Sequence, residues 1–154
     1  MKLRFITYLV SLLSLCTYAN GQGIWQADTE TKSQGILIQN SLPKGGSRYI
    51  DSGGNEFVYV VFWTRVVNDT ATALELTINF PADSFAISAP THNYVKLFLP
   101  PETMTPGKLS MFDYGLDLKS FLDISFHKPT TLHKTINPKE ECVFYVAALS
   151  YKPY

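Results

Sequence analysis

His127 and His133 stand on either side of Lys128 to Leu132, so a turn in that segment would bring two imidazoles together; with His92 they are the only histidines of the 154-residue chain. Zinc asks for three protein ligands and a water, or for four protein ligands. The remaining donor would have to be His92 or Cys142. Cys142 opens an apolar run, Cys142 to Leu149 (CVFYVAAL), and no His or Met follows it at the short spacing that copper sites in sandwich proteins use. These residues therefore read as three surface histidines and a buried thiol acting as a small hydrophobe. No metal or cofactor is expected.

A second constellation is Asp51-Ser52-Gly53-Gly54. It resembles the Gly-Asp-Ser-Gly-Gly-Pro nucleophile segment of chymotrypsin-like proteases, in which the serine needs a histidine base and the glycines shape the oxyanion hole. Ile50 stands where the first glycine would be and Asn55 where the proline would be. That family also places its histidine and aspartate before the serine, whereas the first histidine here is His92. The segment is expected to be a polar turn. Ser41 to Ser47 (SLPKGGS) lacks the spacing of a phosphate-binding loop and its terminal Lys-Ser/Thr, so it is expected to be a connection. Asn68-Asp69-Thr70 fits the N-glycosylation pattern and equally a tight turn, and the turn is the reading adopted. Among the 21 aromatics, Trp63 shares one side of its segment with Phe57, Tyr59 and Val61 and belongs to a core, while Trp25 sits in a polar arm, docked or exposed. No base with an orienting partner occurs at a recognisable spacing, so no catalytic, cofactor or metal residue is assigned.

The elements that would position these groups are strands. Leu74, Leu76, Ile78 and Phe80 alternate with Glu75, Thr77 and Asn79, the period of a strand with one wet face. Phe57 to Val67 (FVYVVFWTRVV) is apolar on both faces, as in a strand covered from both sides, and Cys142 to Leu149 repeats that pattern. Asn68 to Thr72 is expected to join the first two as a hairpin. Weaker strands are Gln34 to Gln39, Tyr49 to Ile50, Phe85 to Ser88, Tyr94 to Leu99, Ile124 to Phe126 and Thr131 to Ile136, separated by Gly- and Pro-containing turns. Only Gly115 to Asp123 has the pattern for a short helix. The expected fold is all-β, an immunoglobulin-like antiparallel β-sandwich with at most one short helix.

Residues 1–21 have the form of an export signal: Lys2 and Arg4, an apolar run from Phe5 to Leu15, then Ala19-Asn20-Gly21. Cleavage is expected before Gln22, leaving one domain over residues 22–154. The run is far shorter than the roughly 20 residues of a spanning helix, and lipid attachment at Cys16 is disfavoured by Leu15 before it. Cleavage also leaves Cys142 as the single cysteine, so no internal disulfide forms. Without Lys2 and Arg4 the remaining basic residues fall two short of the 13 acidic ones, for a net charge of about −2. With no basic excess, nucleic acid is an unsuitable partner.

Val66-Val67-Asn68-Asp69-Thr70 with Leu74 to Pro81, and Ile136-Asn137-Pro138-Lys139-Glu140 leading into Phe144-Tyr145-Val146, resemble exported bacterial immunoglobulin-like sandwich proteins. Asn68 to Phe85 is also similar to the immunoglobulin-like proteinase inhibitors of bacilli. The resemblance implies a fold and no activity. The function expected is therefore a non-enzymatic binding or structural module, periplasmic or extracellular. Its expected partner is an envelope protein, or a second copy joined through an open sheet edge beside the last strand. The competing expectations are a metal-dependent or hydrolytic enzyme with a site assembled from loops, and a proteinase inhibitor.

Overall fold

A computed structural model describes residues 24–88 and 93–151; the leader, the cleavage point, His92 and the last three residues lie outside the described residues. The chain runs through β1 (Thr29–Ser33), β2 (Ile36–Asn40), β3 (Lys44–Ile50), β4 (Glu56–Asn68), β5 (Leu74–Phe80), β6 (Phe85–Ser88) and β7 (Asn93–Phe98), then α1 (Leu118–Ser125), β8 (Thr130–Ile136) and β9 (Glu141–Tyr151). Every pairing is antiparallel. One sheet has the order β1-β2-β4-β9-β7-β6, with β3 beside the first half of β4, and β5 and β8 form a separate ribbon. Among the described residues the fold is thus all-β, a sandwich with one α-helix. Its strands divide seven and two, where the constant-type immunoglobulin sandwich divides four and three.

The doubly apolar strands are central because both of their faces are covered. Tyr59, Val61 and Trp63 of β4, with Tyr145, Ala147 and Leu149 of β9, form one core under α1 and the turns that precede it, where Met104, Tyr114, Leu116, Leu118 and Leu122 are buried. The other faces of these strands carry Val66, Phe144 and Val146 into a second core beneath the ribbon, closed by Ile136 and by the half-buried Leu74, Leu76, Ile78 and Phe80. Trp63 is fully buried, as the pattern around it requires.

Several local expectations are corrected. The segment after β4 is a corner between layers, not a hairpin: β4 pairs with β2, β3 and β9, while β5 crosses over and pairs with β8. Ile124 to Phe126 is not a strand. The Asp117 side chain caps α1 by accepting from the Ser120 backbone N–H at 3.2 Å, the helix runs to Ser125, and Ile124 is left 70% exposed. Gln34 belongs to a turn, since Gln34 and Gly35 both have positive φ (48° and 80°) between the paired ends Ser33 and Ile36, the geometry of a two-residue hairpin. Most of the SLPKGGS segment is strand β3, kept from looking like one by a bulge at Gly45 to Ser47. A Cβ on Gly45 would lie 2.9 Å from the Tyr59 carbonyl oxygen, so only glycine lets this edge approach β4.

The last strand has neighbours on both sides over part of its length. β9 pairs with β4 along its whole length and, from Ala147 to Ser150, with β7 on the other side, with a further bridge from Phe144 to Thr103. Cys142, expected to be buried, is only half-buried, because it heads β9 at the margin of the ribbon.

Candidate functional site

α1 stops short of one end of the sheet face that it covers. Near that end the register aligns Phe57 of β4 with Tyr151 of β9, and Leu149 of β9 with Lys96 of β7, so these side chains share the face that carries the first core, where Leu149 is buried and Phe57 packs against it. The result is a cleft of about 480 Å³. Phe57, Tyr94, Lys96, Leu149 and Tyr151 form its base, Phe126 and His127 the helix side, and the Asp51–Asn55 and Ala82–Ser84 turns the rim. Its size lies in the range of about 300–1,000 Å³ common to small-molecule sites.

The rings form a continuous edge-to-face chain. Phe57 lies 5.5 Å from Tyr151 and 5.0 Å from Phe126, and Phe126 lies 4.9 Å from His127 between centroids. Such pairs are worth about 0.5–1.5 kcal/mol each beyond their buried area, so the wall is held before any ligand arrives. Tyr94 and Tyr151 remain substantially exposed.

Lys96 is the unusual group. Its residue is only 8% exposed, and its ammonium donates to the Phe126 carbonyl oxygen and sits 4.5 Å from the Phe126 centroid and 5.4 Å from that of Phe98. Among the described residues no carboxylate forms an ion pair with it. Burial pulls its pKa below that of an ordinary lysine, partly offset by the charge of Asp83. The rings and the one carbonyl stand in for a counter-ion.

The two sets of residues that the sequence offers for chemistry are separated. Asp51 lines the cleft, yet its carboxylate is taken up by its own turn: Oδ1 accepts from the backbone N–H groups of Gly53 and Asn55, and Oδ2 accepts from the Asn55 amide, each at 2.9 Å. The Asn55 side chain is the main reason that its pKa lies below the usual range. Ser52 is exposed on that turn. His127 is in the cleft, but His133 is on the outer face of the ribbon, 3.8 Å from the Glu75 carboxylate. The turn between them therefore does not join the imidazoles, because it carries the chain from one layer to the other. Among the described residues no three His, Cys, Asp or Glu side chains gather as a metal site would require.

Asn68 is fully buried, and its amide donates to the Thr72 and Ile136 carbonyl oxygens, so the glycosylation pattern is a structural corner. Trp25 docks edge-on against Trp63, with centroids 5.1 Å apart. Beside them is a second depression of about 600 Å³, where Lys44 donates to the Leu109 and Met111 carbonyl oxygens, and the Tyr114 hydroxyl to that of Leu42. These bonds hold a strained loop, in which Asp113, Tyr114 and Gly115 have φ of 48°, 53° and 69°.

Tyr94, Lys96, Phe126 and Tyr151 escape a sequence reading, because only the strand register and the end of α1 bring them together. One signal was present: Lys96 interrupts an otherwise apolar run, Tyr94 to Leu99. Compared with known proteins, the chain matches no family model, and neither the curated proteins nor the solved structures give a match. No helix among the described residues is long and apolar enough to cross a membrane.

Proposed function

We propose that this protein is an exported, non-enzymatic binding module that holds its ligand in the aromatic cleft beyond the end of α1. The observation that carries the reading is the cleft itself: Phe57, Tyr94, Phe126 and Tyr151 come from four separate elements, and a buried ammonium with no ion pair among the described residues lies among them. Exposed tyrosine rings over a buried basic group suit recognition, since a ligand gains apolar contact and a directed hydrogen bond together. The Asp51 carboxylate beside the serine-bearing turn already accepts three hydrogen bonds from that turn. Export rests on the basic, apolar and small-residue order of residues 1–21, and the motifs similar to exported bacterial immunoglobulin-like sandwich proteins agree with it.

NMR titration of isotope-labelled residues 22–154 with a panel of oligosaccharides and peptides tests this reading. The expected shifts cluster at residues 51–57, 83–84, 94–96, 126–127 and 149–151, with the probe recovered intact. Shifts confined to another surface, or conversion of the probe to products, would overturn it.

Self-association has a separate observation in its favour. β5 and β8 pair only with each other among the described residues, so each keeps an outer row of backbone groups able to accept another strand. Sedimentation over a concentration range tests this: a concentration-dependent dimer supports strand addition at the ribbon, and a monomer throughout removes it.

A further inference from the structure

The charges lining the cleft restrict what can enter it. Beside His127, the charged lining is Lys96 against Asp51 and Asp83. An anionic ligand would gain Lys96 but meet two carboxylates. A cationic ligand would gain the two carboxylates but meet the Lys96 ammonium at the base, which already occupies the face of Phe126. A neutral ligand rich in hydroxyls meets neither obstacle.

The unused hydrogen-bonding capacity points the same way. An ammonium has three donors, and Lys96 commits one to the Phe126 carbonyl oxygen. The Asp83 carboxylate accepts no hydrogen bond and forms no ion pair among the described residues, whereas that of Asp51 is saturated by its turn. The cleft therefore offers spare donors at its base and a spare acceptor at its rim. A hydroxyl both donates and accepts, so one polyhydroxylated ring can satisfy both, and hydrogen bonds to charged groups are the stronger kind. The C–H face of such a ring is apolar and matches the exposed rings of Tyr94 and Tyr151.

We propose that the ligand is a neutral saccharide, with a sugar ring packed on Tyr94 and Tyr151 and its hydroxyls bonded to Lys96 and Asp83. The proposal rests on the binding-module reading above and names the ligand class for the same cleft.

Affinities of cellohexaose, maltohexaose and chitohexaose are compared by calorimetry and NMR with those of hexagalacturonate and a peptide bearing a free C-terminal carboxylate. At least one neutral hexasaccharide is expected to bind in the cleft, and to do so about tenfold more tightly than either acidic probe. Loss of one charge-assisted hydrogen bond in Lys96→Met or Asp83→Asn is expected to weaken it by a factor of about ten. Asp83 is exposed, so its variant keeps the test open if Lys96→Met fails to fold. Cleft binding led by hexagalacturonate or by the peptide, or unchanged saccharide affinity in Asp83→Asn, overturns the saccharide proposal while leaving the binding module standing. If none of the five probes shifts the cleft resonances, the binding-module reading falls with it.

Discussion

The Asn68 side-chain amide donates to the Ile136 carbonyl oxygen at 2.8 Å, tying the last residue of β4 to the last residue of β8 and so the large sheet to the ribbon. The same amide donates to the Thr72 carbonyl oxygen at 2.8 Å, and its oxygen accepts from the Thr70 N–H and hydroxyl at 3.1 and 2.7 Å. Asn68→Ala would take this donor from the buried Ile136 carbonyl, while the exposed Thr72 carbonyl keeps the Thr70 hydroxyl, so a loss of about 1–3 kcal/mol is expected, read from the urea midpoint. Asn68→Asp is expected to be worse, because it removes both donors and buries a charge. A loss below about 0.5 kcal/mol in Asn68→Ala would show that the corner is held by packing alone.

Asp113 supplies a pH-dependent test. Burial is the largest cause holding its carboxyl above the ordinary range, against the Tyr59 hydrogen bond and the charge of Lys44. The folded chain thus keeps this proton to a higher pH than the unfolded chain. The contribution of Asp113 to stability is complete below the ordinary carboxylate value and is lost as the pH rises through the folded value. Asp113→Asn has no charge to desolvate, and asparagine tolerates the positive φ of 48°. The variant is therefore expected to exceed wild type in urea midpoint at pH 7, with the gain fading as the pH falls through the raised folded value and gone below about 4. A difference that does not change with pH would remove the buried carboxylate from the account.

The thiol of Cys142 is half-buried, and desolvation raises its pKa, with only a smaller opposing effect from Lys134. Since the thiolate is the reactive form, labelling of the folded protein at pH 8 is expected to be at least about tenfold slower than in denaturant. Equal rates in the two conditions would place Cys142 in open solvent.

These tests also separate what was legible in the sequence from what was not. The alternation from Leu74 to Phe80 and the doubly apolar runs at 57–67 and 142–149 are local properties, and they marked the strands and the central pair. Which strand β5 joins is not local. A turn such as Asn68 to Thr72 serves a hairpin or a change of layer equally well, and the outcome depends on carbonyls supplied from Ile136, distant in sequence. The cleft was hidden for the same reason: Phe57 and Tyr151 meet only because the β4–β9 register pairs them. The groups that looked chemical, Asp51 and His133, are instead engaged with a turn and with the solvent side of the ribbon.

The cleft as the ligand seat is tested most directly by the dissociation constant of the tightest oligosaccharide for wild type and for Tyr151→Ala. Tyr151 is exposed at the cleft base and packs edge-on against Phe57 at 5.5 Å, so its truncation removes a stacking surface while leaving both cores in place. A loss of about 1–3 kcal/mol in binding, or roughly five- to 150-fold in affinity, is predicted, with the fold retained by NMR. An unchanged dissociation constant in the folded variant would contradict the assignment.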